Sequence, residues 1–233
     1  MRLVLLLLSV FNVFLFGCGN TTSNEANLSK EEEIQELQIE VPITSKDYML
    51  NAEKSTLRWI GGKPTGQHMG SIDAKMGAMA KNSDGTIQCV VVMNMNTIKC
   101  MDIEDPEENK DLVDHLNNED FFDVTNFPEA HIEIKEMRKE PEREFSQVVC
   151  ELEIKNHKEL IEFQAMVKEI GDSIMISGTL IFDRTAFEIK YKSKTIFPDL
   201  GDKFINDEIE VQFETWFGYL PPIEPQIGEN QAN

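Results

Sequence analysis

From Glu208 to Phe217 the chain alternates apolar and polar residues with one slip only near its end: Ile209, Val211, Phe213, Thr215 and Phe217 fall on one side, Glu208, Glu210, Gln212 and Glu214 on the other. Side chains of an extended backbone point to opposite faces at each step, so this pattern makes a strand with one buried face and one wet face, as in an antiparallel sheet. Six further runs are rich in β-branched or aromatic residues: Thr56 to Ile60, Ile87 to Ile98, Ala130 to Glu136, Val148 to Lys155, Glu159 to Val167 and Ser173 to Phe182. Turn chemistry separates the runs at Asn82-Ser83-Asp84-Gly85, Asn156-His157 and Gly171-Asp172, which predicts hairpins. Closing such a sheet on itself removes its unpaired edges. The expected fold is therefore all-β, an antiparallel barrel of about eight strands with an interior fit for packed side chains or for one ligand. The period alone does not choose between the two.

One segment breaks the alternation. Asp105 is a capping residue, Pro106 suits the first helical position, Glu107 and Glu108 bring acids to the first turn, and Leu112, His115 and Leu116 recur at helical spacing. A short helix is predicted there. Phe121, Phe122, Val124 and Phe127 follow in a loop, a density of large apolar side chains suited to capping or plugging a barrel end.

With 22 Lys and Arg against 42 Asp and Glu, the formal charge is −20 and the pI about 4.5. Such a surface has no positive field to hold phosphates, which argues against a nucleic-acid partner. The N-terminus has its own logic. Arg2 precedes an apolar run from Leu3 to Phe16, too short to cross ~30 Å of hydrocarbon comfortably and flanked like a secretory signal. Leu15-Phe16-Gly17-Cys18 resembles the lipobox of bacterial lipoproteins, in which the Cys thiol is acylated after cleavage. The alternative is an ordinary secreted protein whose signal ends near a Cys. On the lipobox reading, residues 1–17 are a signal peptide and Cys18 is lipidated. Residues 18–46 then form a flexible acidic linker, 47–219 the barrel domain and 220–233 a tail carrying Pro221, Pro222 and Pro225. The expected location is the periplasmic side of the bacterial cell envelope, with the membrane reached through the acyl chains. Cys89, Cys100 and Cys150 remain, an odd number with no zinc spacing.

Four blocks, in order, carry a resemblance. Ser55 to Gly70, with Trp59, Gly61, Lys63, Gly66, His68 and Gly70, is similar to an opening S-x-v-x-W-x-G-x-K…G-x-H-x-G. His115 to Asp123, followed by Phe127-Pro128-Glu129-Ala130, is similar to HL-(K/R)-S-x-DFFD…(Y/F)P-x-A. Asp183 to Ser193 is similar to D-R-T-x-(W/F)-x-I-x-Y-x-S, and Asp207 to Val211 to a closing D-x-I-x-(V/I). Together, over about Tyr48 to Phe217, they resemble the YceI-like family of bacterial envelope proteins. The resemblance implies a lipocalin-like barrel with a helix beside one end, binding a polyprenyl chain or an isoprenoid quinone. The chain departs from the family over Glu151 to Glu159, where a Gly-Val-Thr-Lys turn after an L-T-I-(K/H) strand is usual.

Candidate residues follow from both readings. Trp59, Met93, Met95, Phe121, Phe122 and Tyr191 suit an apolar tunnel, and thioethers adapt to a flexible prenyl chain. Each taken singly is nearly as well explained by core packing. His68, among Gly62, Gly66 and Gly70, could hydrogen-bond a quinone carbonyl or a carbonyl of the barrel itself. Arg184 suits a structural ion pair or a quinone head group. His68, His115, His131 and His157 are dispersed and no nucleophile or P-loop motif is present, so neither an enzyme nor a cofactor is expected. The expected function is binding, storage or carriage of an isoprenoid lipid; the rival is a structural or stress-related interaction module with a packed barrel. The oligomeric state, monomer or homodimer, stays open at this point.

Overall fold

The structure, a computed structural model, describes residues 45–138 and 143–221. The leader at 1–17, Cys18, the linker up to residue 44 and the tail from residue 222 lie outside the described residues. Among the described residues, nine strands and one α-helix follow one another. They are β1 (Ser45–Leu50), β2 (Thr56–Lys63), β3 (Gly66–Asn82), β4 (Thr86–Cys100), α1 (Pro106–Asn117), β5 (Glu129–Arg138), β6 (Phe145–Ile154), β7 (His157–Ile170), β8 (Ser173–Asp183) and β9 (Glu208–Leu220). Two short 3-10 turns, Arg184–Phe187 and Pro198–Lys203, lie between β8 and β9.

From β2 to β9 each strand pairs antiparallel with the next, and β9 returns to pair with β2. The ring is closed. β1 adds no further stave, because it pairs with the same two strands as β2. It meets β3 from Asn82 to Ala78 and β9 from Leu220 to Phe217, and β2 continues along β3 from Ile72 to Gly66 and along β9 from Glu214 to Glu210. β1 and β2 are thus one stave broken at residues 51–55, and the barrel has eight. The break is stitched to β9: the Asn51 N–H donates to the Trp216 carbonyl at 2.7 Å, and the Trp216 N–H donates to Ser55 Oγ at 3.0 Å. The all-β, lipocalin-like class with one short helix is the observed one.

β3, like the short β1, is a strand that the composition did not single out. Its Gly, Ala and Met residues have little β-propensity, and it forms because β1, β2 and β4 offer it ladders on both sides. β4 carries the irregularity that opens one end. Up to Asn94 it pairs with both neighbours; beyond that it parts from β5, and its pairing with β3 skips from Asp73↔Asn94 to Ser71↔Lys99. The segment between β4 and β5 covers the resulting gap. There the Asp105 carboxylate accepts from the N–H groups of Glu107 and Glu108 at 2.9 and 3.0 Å and so caps α1, as its sequence predicts. In the following loop Phe121 and Val124 are buried.

The two ends of the barrel differ. At the end where β1 starts and β9 stops, the inward side chains of Met79, Ile87, Met137, Val148, Ile174 and Phe217 are all but sealed from solvent. The helix end carries α1, the β2–β3 turn, the β6–β7 turn and the long β8–β9 connection. Its β6–β7 turn is built on Lys155 and Asn156, both at positive φ (51° and 62°), as a two-residue hairpin turn of type I′ requires. Asn tolerates this backbone well, so the turn forms without the glycine usual at this point.

Candidate functional site

The helix end is hollow. A cavity of about 280 Å³ runs inside the barrel, bounded by inward residues of β2 to β9 and closed over by α1 and its loop. Close-packed interiors leave few voids larger than a water molecule, so this space is more than imperfect packing. It lies at the small end of the range for ligand pockets. Its wall is aliphatic and aromatic over most of its extent, with Leu57, Val91, Ile134, Phe163, Val211 and Phe213 among the contributors. The side chains that β9 turns inward are those its alternation assigned to one face. Lys63, Gly66 and His68 also border the cavity, which places its polar rim at the β2–β3 turn.

Of the residues singled out from sequence, Trp59, His68, Met93, Met95, Phe121, Phe122 and Arg184 border this one cavity. Tyr191 does not. It stands behind the wall, its ring 4.5 Å from that of His115 and 5.7 Å from that of Phe121, and so buttresses the Phe loop from outside. Trp59 comes from β2, opposite Gly70 of β3, and the absence of a side chain at Gly70 makes room for the indole. Cys18 lies outside the described residues.

Arg184 is buried at 1% exposure and holds the β8–β9 connection together. Its guanidinium donates to the carbonyls of Asn206 (2.9 Å), Ile189 (2.8 Å) and Ile205 (3.1 Å) and to Asp207 Oδ1 (3.2 Å). Four of its five donors are thereby committed to the protein. Burial lowers the pKa of Arg184, with Asp207 and Asp183 working against the shift. For Asp207 burial works upward, but hydrogen bonds from Thr195 and Ser193 together with the Arg184 charge hold the carboxyl below its usual value. The guanidinium also faces the Phe121 ring at 5.8 Å, so the same side chain supports the plug of the barrel end.

His68 has a partner that sequence reasoning missed. Its Nδ1 lies 3.0 Å from Asp102 Oδ2, and the other carboxylate oxygen accepts from the Met69 N–H at 2.9 Å and from the Cys100 thiol at 3.3 Å. Burial pushes the Asp102 carboxyl up, yet the Met69, His68 and Cys100 donors together keep it below its ordinary value. Asp102 follows β4 directly, 34 residues from His68, and no local pattern announces the pair. Cys89 is a wall residue and Cys150 lies deep in the core; both are free, as is Cys100. Burial raises the Cys89 thiol to about 12 and Cys150 to about 11.

A family model described as YceI-like domain matches residues 48–217. The chain belongs to the YceI-like family. Two solved structures share the fold of this YceI-like protein. BcnA of Burkholderia cenocepacia superposes with a TM-score of 0.56 at 16% identity, covering 72% of this chain and 98% of its own. A protein of Saccharophagus degradans described as a polyisoprenoid binding domain superposes with a TM-score of 0.53 at 14% identity, covering 74% of this chain and 98% of its own. No curated protein matches the chain.

Proposed function

We propose that this YceI-like protein binds an isoprenoid lipid, a polyprenyl chain or an isoprenoid quinone, and stores or carries it in the bacterial cell envelope. The observation that carries this reading is the contrast between the two barrel ends: one is packed shut, and the other encloses an apolar cavity of about 280 Å³. A barrel serving only as an interaction module has no need of that space. The description of the S. degradans relative as polyisoprenoid-binding supports the same ligand class.

The protein acts as a binder and not as a catalyst on this reading, since its histidines are spread over the β2–β3 hairpin, α1, β5 and the start of β7. Acylated Cys18 tethers it to a membrane on the periplasmic side, by the lipobox-like Leu15 to Cys18. The test is organic extraction of the purified protein followed by mass spectrometry. An isoprenoid recovered in near-stoichiometric amount is the expected result. Absence of any lipid, together with failure to take up added isoprenoid, would return the protein to the interaction-module reading.

A further inference from the structure

Three buried side-chain polar atoms among the described residues lack a hydrogen-bond partner: Trp59 Nε1, His115 Nε2 and Asn117 Oδ1. Of these three residues only Trp59 also borders the cavity. Buried N–H groups are nearly always paired, so an unpaired indole donor on a residue of the cavity wall is a group that a bound molecule can satisfy once the ring turns its N–H toward it.

His68 supplies a second, opposite requirement. The Asp102 carboxylate facing Nδ1 has no proton to give, so Nδ1 carries the ring proton and donates it. With one ring proton held on Nδ1, Nε2 is an acceptor. Trp59 pairs with Gly70 and Gly61 with His68, so the two side chains are diagonal neighbours on the same face of the β2–β3 pair, within mutual reach of long side chains. Both border the cavity, His68 nearer its polar rim.

A donor beside an acceptor selects among isoprenoid end groups. A hydroxyl satisfies both: its oxygen accepts from the indole N–H and its hydrogen is given to the imidazole. A carbonyl or an ether offers only lone pairs, so it serves Trp59 and leaves Nε2 facing another acceptor. A hydrocarbon serves neither. We propose that the cavity recognises a hydroxyl-bearing end of the isoprenoid, an alcohol or a quinol, through Trp59 and the His68–Asp102 pair. The inference rests on the isoprenoid reading above and names the chemistry of the ligand's head. It places the head toward the β2–β3 turn and the prenyl chain toward the packed end, and it favours the reduced form of a quinone over the oxidised form.

Three C20 probes test it at pH 8 against the delipidated protein: geranylgeraniol, its methyl ether and the matching hydrocarbon without oxygen. The alcohol should bind about tenfold more tightly than the ether, the scale of one lost hydrogen bond. Trp59→Phe keeps an aromatic ring in place and should erase the advantage of the ether over the hydrocarbon. His68→Leu should erase the advantage of the alcohol over the ether, and His68→Gln, which retains an acceptor, should restore part of it. Equal affinity for alcohol and ether in the wild type overturns the proposal and leaves the isoprenoid reading standing. Binding of none of the three overturns both. Should Trp59→Phe fail to fold, the wild-type ranking and the His68 variants decide the matter.

Discussion

The indole of Trp59 occupies the space that any side chain at residue 70 would need. A Cβ on Gly70 would stand 2.4 Å from Cζ2 and 2.5 Å from Cε2 of that ring, and 1.7 Å from the carbonyl oxygen of Lys99. The ring can move, but the backbone carbonyl of β4 cannot yield without disturbing the β3–β4 pairing. Gly70→Ala should therefore cost about 1–3 kcal/mol, the range for overpacking. In a Trp216→Phe background the emission of Trp59 should also shift. An unchanged urea midpoint together with an unchanged spectrum would show that Trp59 is not held against Gly70.

Two methionines on inward faces separate cavity from core. Met93 borders the cavity, and Met137 is sealed at 1% exposure in the packed end. Met93→Lys should abolish co-purified lipid and destabilise the barrel less than Met137→Lys, because the cavity gives the longer side chain room to adjust where the packed end gives none. Met137→Lys should unfold the barrel, since a charge without a partner is forced among packed neighbours. Retention of ligand can reach on the order of 7 kcal/mol before ordering costs, if ~300 Å² of chain is buried at ~25 cal/mol per Å². Equal destabilisation by both substitutions, read by thermal melting, would mean the helix end is packed as well.

The Arg184–Asp207 pair makes stability depend on acid. The Asp207 carboxyl titrates below its usual value in the folded state, so the unfolded chain takes up the proton more readily as the pH falls. The contribution is complete above about pH 4 and is lost below it. Asp207→Asn should flatten the fall in urea midpoint between pH 4 and pH 3. Arg184→Ala should cost about 3–5 kcal/mol at neutral pH, because it strands Asp207 and three backbone carbonyls at once.

Thiol chemistry gives an independent check on the interior. With Cys89 at about 12 and Cys150 at about 11, only about 0.1% or less of either is thiolate at pH 8. Iodoacetamide should leave both unmodified for hours in the folded protein and label them within minutes in urea. Rapid labelling of Cys89 in the native state would show that the cavity admits solvent and reagents freely.

The anchor is tested by Cys18→Ser. The wild type should incorporate a fatty-acid analogue and sediment with membranes, and the variant should do neither. A variant that stays in the membrane pellet with unchanged mass would rule out acylation at Cys18.

How much of this was readable before folding depends on the range of the interactions involved. Strand faces and the helix start are local matters. Inward placement of Ile209, Val211 and Phe213 follows from a two-residue period, and the start of α1 from one carboxylate reaching N–H groups two and three residues ahead. β3 was harder, because its Gly, Ala and Met residues are chosen by neighbours such as Trp59 and not by their own backbone preference.

The alternation, the turns, the capped helix and, through four ordered blocks, the family are legible along the chain before any folding. Closure of the barrel is what puts β1 and β2 in one stave, brings Asp102 to the His68 ring, sets Tyr191 behind the wall and leaves one end hollow. Met79 and Met137 read like Met93 and Met95 along the chain, yet one pair fills the core and the other borders a cavity. The reason is geometric: whether inward side chains meet depends on how strands from distant parts of the chain close around them, and at the helix end β4 parts from β5 and α1 covers the opening without filling it.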